Sequence, residues 1–388
     1  MKPLPITAYV ATTEDFFSYP DFCFGWDMLR RRLPISNWQT IYTIDLPGWL
    51  ASHQQMFIPM QEAVLLITDP HIIVSRDCLV GLQQVLDTHP DDVIIPMDSR
   101  RTDLPVNLSY ATARGADRAV ESAIREGIQP VQAQGGFSKV MLMRAKTLMR
   151  LLETQWNGAL TPNTWISPYA LAHDYSGYFE SDRAEVIPHL PEGIKCLLDI
   201  GGGAGYFAAA AKKALQLEEV HVFEQNPLAA EAARLRVDKV WEGNFLQTNQ
   251  QSLPSFDCIT ALDIIEHVES TEAILSVIAS LLRPGGTLVA SLPNLGHWSV
   301  LVDLLEGCWD YAPSGISSRS HLRFFSRSTI CDLFDHSDWQ LASITPSAYP
   351  MPELLRQRIS PLGDACSLRL DIESLDAYQF IIQVRRTG

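Results

Sequence analysis

The sequence is poor in basic side chains. Lys and Arg total 30 against 45 Asp and Glu, a formal net charge of −15. That deficit argues against a general nucleic-acid binder, because phosphate binding rests on neutralisation by Lys and Arg. A local basic groove stays open. The seven cysteines, at positions 23, 78, 196, 258, 308, 331 and 366, contain no Cys-x-x-Cys pair. Neither a zinc site nor a redox pair is therefore indicated. An odd, unpatterned count fits a reducing compartment, and a cytoplasmic location is expected. No apolar run reaches 18 residues, so no membrane span is expected. The opening MKPLPITAYVATTEDFF is broken by Pro5 and followed by Glu14 and Asp15, unlike a secretory signal. No internal repeat or low-complexity tract is present.

What remains is an ordinary globular composition, 46% hydrophobic and 19% charged over 388 residues. That length suits two domains. Strand-like and helix-like runs alternate through both halves, which predicts α/β architecture. In the first half, residues 6–12, 40–45, 63–68 and 92–96 read as strands and 78–89 as a helix. The stretch 157–178 is rich in Asn, Thr, Ser, Gly and Pro, has no clear period, and marks a junction. The expected domains are 1–158 and 159–388. In the second, strands are expected at 195–201, 219–225, 256–263, 287–293 and 378–386. Helices are expected at 206–215, 227–236 and 271–282, with a tight turn at 283–286.

The glycine turn LLDIGGGAGYF, residues 197–207, is the most informative stretch. A P-loop needs Gly-Lys-Ser/Thr, which is absent. Counted from Gly201 or Gly202, the dinucleotide fingerprint Gly-x-Gly-x-x-Gly fails, with Tyr206 or Phe207 standing where its last glycine belongs. The pattern that fits is Asp199-x-Gly201-x-Gly203-x-Gly205. Glu224 follows at the tip of the next strand, about 20 residues on, where an acid pairs with ribose hydroxyls. EGNFLQ, ITALDIIEHV and LLRPGGTLVASLPN come next in order.

Through these motifs, residues 180–300 resemble class I S-adenosylmethionine-dependent methyltransferases. The resemblance implies a Rossmann-like, seven-stranded sheet and S-adenosylmethionine as cofactor. It places Asp199 by the cofactor's ammonium, with Gly201, Gly203 and Gly205 letting the backbone approach. Glu224 would hold the ribose, and Gln225 and Asn226 would flank the adenosine. Asn244 stands where the family usually has an acid on the adenine amino group, followed by Phe245. Asp263 and Ile264 lie at the fourth strand's tip. Tyr175 and Tyr178 sit where aromatics close over the methionine end.

The catalytic candidates are His267, after Glu266, and His321 in SRSHLRFFS. Arg323 and Trp298 are candidates for substrate contact, Arg323 being equally readable as a structural ion pair. Residues 295–311 read as an amphipathic lid helix, with His297, Trp298, Trp309 and Tyr311 near the pocket. The reading adopted here places no metal in the site. An alternative stays open, because small-RNA 2′-O-methyltransferases and some ubiquinone-pathway O-methyltransferases bind a divalent ion through Glu-x-x-Glu-His. Asp263, Glu266 and His267 resemble that motif, and His321 resembles the later histidine of the former group.

The first half, through AVLLITDPHIIVSRDCLVGLQQVL and GGFSKVMLMRAKTLMRLL, resembles family-2-like glycosyltransferases of the A-type fold, in shortened form. In that family Asp-x-Asp holds a divalent ion on a nucleotide-sugar diphosphate. Asp69-Pro70-His71 stands here, and an Asp-x-His version holds manganese in some members. The resulting expectation is a two-domain α/β methyltransferase whose first domain is accessory and holds the acceptor. That acceptor is a sugar, glycolipid precursor or secondary metabolite, methylated on oxygen or, second, nitrogen. A bifunctional glycosyl- and methyltransferase and a non-catalytic scaffold are the rivals. A homo-oligomer is left open.

Overall fold

A computed structural model describes residues 5–13, 20–54, 62–98, 100–104, 106, 108, 110–176, 181–248, 253–335, 338–366 and 369–387. The chain forms two compact units. The first holds Met1–Ser176 and Gly307–Arg319, and the second Gly177–Glu306 and Ser320–Gly388.

In the first unit the strands are β1 (Ile6–Thr12), β2 (Asn37–Tyr42), β3 (Ala63–Ile67), β4 (Ile72–Val74), β5 (Val93–Met97), β6 (Val131–Gln132), β7 (Val140–Arg144) and β8 (Thr164–Asp174). They form one mixed sheet in the order β2-β1-β3-β7-β5-β8-β4, with β6 on β8. Alternating side chains serve opposite faces, as the pleat requires. Ala8, Val10, Leu65 and Ile67 pack with Leu29 and Leu82 of helices Pro20–Arg32 and Cys78–Thr88. Tyr9, Ala11, Val64 and Leu66 pack on the other side with Leu50, Val120 and Leu148, from helices Leu46–His53, Ala113–Arg125 and Ala145–Glu153. The stretch read as a periodless junction carries β8, eleven residues long. Its buried strand shows no alternation because both faces are covered.

The segment Gly307–Arg319 joins this unit through charge. Arg32 pairs with Asp117 at 3.1 Å and with Asp310 at 3.4 Å, and Arg76 pairs with Asp310 at 2.8 Å. The side chains of Arg32 and Asp117 are 8% and 3% exposed. Removing one partner of such a pair strands the other. Asp117→Ala is therefore expected to cost about 3–5 kcal/mol, read as a lowered urea midpoint.

In the second unit the strands are β9 (Cys196–Ile200), β10 (Glu219–Glu224), β11 (Lys239–Glu242), β12 (Phe256–Leu262), β13 (Leu282–Pro293), β14 (Trp339–Ala348) and β15 (Ala377–Arg386). Their order is β11-β10-β9-β12-β13-β15-β14, with β15 antiparallel to both neighbours. Helices cover both faces. Ile274 and Ile278 of helix Thr271–Leu281 pack with Leu198 and Ile259 on one side. Phe207 and Ala211 of helix Tyr206–Leu215 pack with Leu197 and Val222 on the other. Residues 283–286 are not a turn before a strand but part of β13. The register jumps from Phe256↔Leu282 to Cys258↔Thr287, so they bulge out of the ladder.

The expected lid helix is shorter than 295–311, running Trp298–Leu305. Trp309 and Tyr311 belong to the first unit. His297 is fully buried, and its Nε2 lies 3.0 Å from the Tyr349 carbonyl. Burial drops its pKa to about 4.

Candidate functional site

The site lies at the carboxyl ends of β9, β10 and β12, where open α/β sheets bind ligands. Asp199 is 2% exposed, and its Oδ1 accepts from Thr260 Oγ1 at 2.6 Å. Burial pushes its pKa up to about 7. The chain then turns through Gly201, Gly203 and Gly205, all at positive φ, into helix Tyr206–Leu215. A Cβ on Gly201 would stand 2.1 Å from Ile264 Cδ1, and one on Gly202 would stand 2.6 Å from Asp199 Oδ2. Both positions are reserved for backbone.

Glu224 is 5% exposed. Its carboxylate accepts from the Gly203 and Asn226 amides at 2.9 and 2.8 Å, and burial raises its pKa. Gln225 is exposed beside it. Asn226 caps helix Pro227–Ala233 by accepting from the Leu228 and Ala229 amides. Asn244 is exposed and its Oδ1 accepts from the Leu246 amide, while Phe245 is buried edge-on against Phe223. Asp199, the glycine turn, Glu224 and Ile264 thus meet in one cradle. Tyr178 lies outside the described residues, and Tyr175 is buried in the first unit.

Asp263 follows directly on β12, at φ +54°. Its Oδ2 pairs with Arg183 at 2.7 Å, and its Oδ1 accepts from Ser291 Oγ at 2.7 Å. Sequence reasoning missed Arg183. It lies outside every glycine-turn motif, and only the fold brings it across 80 residues to Asp263.

The second cluster follows directly. Ile265–His267 form one 3-10 turn. The Leu322 and Arg323 amides donate to the Glu266 carbonyl at 2.8 and 3.0 Å, which brings His321 to it. The His267 and His321 rings meet edge-on, 4.8 Å between centroids. His267 Nδ1 lies 3.2 Å from the Ser320 carbonyl, so in the neutral ring that nitrogen carries the proton and Nε2 the lone pair. Glu266 is 1% exposed, and neither of its oxygens has a hydrogen-bond partner among the described residues. Its Oε1 lies 4.0 Å from His321 Nε2. Burial, with Asp263 nearby, holds its pKa well above the usual carboxylate range. One ligand atom from each of Glu266, His267 and His321 fits within a 4.8 Å span. Asp263, paired with Arg183, is not in this group.

Trp298 does not present itself to a substrate. It is 4% exposed, packs with Met351 and Ile359, and donates from Nε1 to the Tyr349 carbonyl. Arg323 is exposed, and its guanidinium donates to the Leu322 and Glu269 carbonyls, where it ties the backbone.

A doubly wound sheet with a buried acid, a glycine turn and a second acid at adjacent strand tips defines a domain that binds a nucleoside-containing cofactor. A family model described as a methyltransferase domain matches residues 171–344. The chain is 29% identical over 147 residues to a ubiquinone biosynthesis O-methyltransferase of Idiomarina loihiensis, covering 36% of this chain and 60% of that one. It is 31% identical over 160 residues to the ribosomal RNA small subunit methyltransferase G of Rhodospirillum centenum, covering 40% and 68%. Among solved structures, a SAM-dependent methyltransferase from Archaeoglobus fulgidus aligns at 16% identity and a TM-score of 0.40, over 54% of this chain and 97% of that one. The chain belongs to the S-adenosylmethionine-dependent methyltransferases, and S-adenosylmethionine is the cofactor of that family. The cradle fits it. Gly201 and Gly202 leave no room for a Cβ, and the buried carboxyls of Asp199 and Glu224 border the glycine turn.

Proposed function

We propose that the second unit transfers a methyl group to a hydroxyl oxygen of a small acceptor, with Glu266, His267 and His321 managing the acceptor's proton. A sugar, glycolipid precursor or secondary metabolite is the acceptor class, and the first unit holds it. The observation that carries this reading is the buried Glu266 carboxyl, without a hydrogen-bond partner among the described residues, beside two imidazoles. S-adenosylmethionine supplies a methyl group on a sulfonium, which is open to in-line displacement. Asp199 favours the cofactor's ammonium and Glu224 its ribose hydroxyls. A histidine nitrogen takes the acceptor's proton as the new oxygen–carbon bond forms. Glu266, buried 4.0 Å from His321 Nε2, orients that ring. The O-methyltransferase name of the Idiomarina relative supports oxygen as the acceptor atom. The net charge of −15 weighs against carrying over the ribosomal RNA in the other relative's name. Incubation with S-adenosylmethionine and a panel of sugars, phenols and amines tests the reading. Release of S-adenosylhomocysteine is expected with hydroxylated members, and turnover with amines alone would sink it.

A second reading shares the same observation. Glu266, His267 and His321 fit a divalent cation, offering one oxygen and two nitrogens at close quarters. Such an ion would acidify an acceptor hydroxyl. Metal analysis of the purified protein decides it. Absence of a divalent ion, with turnover indifferent to chelator, ends this reading.

Asp199 adds a pH dependence. Between its ordinary 3.8 and about 7 the folded chain keeps a proton that the unfolded chain has released. This group's contribution to stability therefore falls as pH rises through that window. Binding of an ammonium needs the carboxylate. Cofactor affinity is expected to climb about tenfold per pH unit below 7 and to level off above it. Calorimetry between pH 5.5 and 8 checks this, with Asp199→Asn expected to flatten the profile.

A further inference from the structure

The first unit has a cleft of about 720 Å³ at the carboxyl ends of β3, β5 and β8, beside the amino end of β7. Thr68, Asp98, Asp174 and Lys139 mark those four strand ends within it. The glycosyltransferase resemblance implies a divalent ion held at Asp69 and His71. The residues present do not fit one. Asp69 Oδ1 accepts from the His71 amide at 2.9 Å and lies 2.6 Å from His71 Nδ1. Its Oδ2 accepts from Lys139 Nζ at 2.6 Å. That ammonium also reaches Asp174 Oδ1 at 2.9 Å and Ser176 Oγ at 2.7 Å. The space between the two aspartates, where a cation would be seated, is taken by the chain's own cation.

The charges then limit the ligand. Among the described residues, every cation that lines the cleft is already paired: Arg100 with Asp174, Arg101 with Asp103, and Lys139 with Asp69 and Asp174. Asp45 and Asp98 add two further carboxylates. Without surplus positive charge or a metal, a diphosphate has nothing to neutralise it. Fixed carboxylates and guanidinium groups nevertheless suit hydroxyls, which both donate and accept. Asp174 is 5% exposed, and Arg101 is held by both oxygens of Asp103, so these groups are fixed in place before any ligand arrives. Phe137 also lines the cleft and is 69% exposed, an apolar face of the kind that packs against the C–H side of a sugar ring.

We propose that this cleft is a metal-independent site for a neutral sugar ring, in which the Lys139 ammonium occupies the place of a divalent cation. The proposal rests on the reading that the first unit holds the acceptor; its failure would remove that part alone, because methyl transfer by the second unit is read separately from release of S-adenosylhomocysteine.

Saturation-transfer NMR on the full chain tests it, in EDTA, with methyl glycosides of glucose, galactose, mannose and rhamnose, and with UDP-glucose. At least one glycoside is expected to bind, with no change on adding manganese. Phe137→Ala, at an exposed position, is expected to weaken binding about fivefold. Lys139→Met is expected to weaken it further. Binding undiminished in both variants would place the sugar elsewhere and overturn the proposal. So would binding of no glycoside, or binding of UDP-glucose that requires manganese.

Discussion

His321→Ala is expected to lower kcat about 10²–10⁴-fold, the range for loss of a general base, while the Kd for S-adenosylmethionine stays within about twofold. The two readouts separate because His321 belongs to the proton-handling cluster and not to the cradle. Glu266→Gln should move kcat in the same direction. It keeps the shape of a side chain that is 1% exposed but removes the carboxyl group that the described residues place beside the two imidazoles. Effects within such a unit are not additive, so the double variant should be little worse than His321→Ala alone. An unchanged Kd also serves as the folding control. A Kd that collapsed together with kcat would mean that the cluster supports the fold and not the chemistry.

Glu224→Ala is expected to weaken the cofactor about 10²-fold, the loss of two hydrogen bonds to a charged acceptor at about 1.5 kcal/mol each. Titration calorimetry reads it directly. The carboxylate also organises the turn, because it accepts from the Gly203 amide at 2.9 Å. Glu224→Gln is the informative companion. It retains an acceptor for that amide but cannot take two ribose hydroxyls, so it should recover only part of the loss. Equal affinity in wild type and Glu224→Ala would remove the ribose assignment.

Much of this site was legible in the sequence because its parts are local. Asp199 and the three glycines lie within seven residues, and each glycine answers a backbone demand visible in the turn. Glu224 follows from the length of one helix and one strand. The strands β9, β10 and β12 are buried over most of their length, as in a sheet covered on both faces. What was not legible depends on distant partners. His321 reaches Glu266 only because the Leu322 and Arg323 amides bond back across more than 50 residues. Nothing local marks Arg183 as the partner of Asp263 or Lys139 as the partner of Asp69. Burial reverses expectation as well. Trp298 looks like a ligand platform in a helix of 17 residues, yet the real helix is eight residues long and turns it inward. The strand β8 was hidden for the opposite reason, because its polar Thr164, Ser167 and Asp174 are buried and hydrogen-bonded.

The decisive measurement is where the methyl group goes. The full chain is to be incubated with S-adenosylmethionine carrying a ¹³C methyl and with the hydroxylated acceptors that support turnover. The labelled carbon is then located by NMR in wild type and in His321→Ala. A methoxy carbon on the acceptor is expected in wild type, and at least a hundredfold less of it in His321→Ala. Label on nitrogen or carbon, or equal transfer by the two proteins, would contradict it.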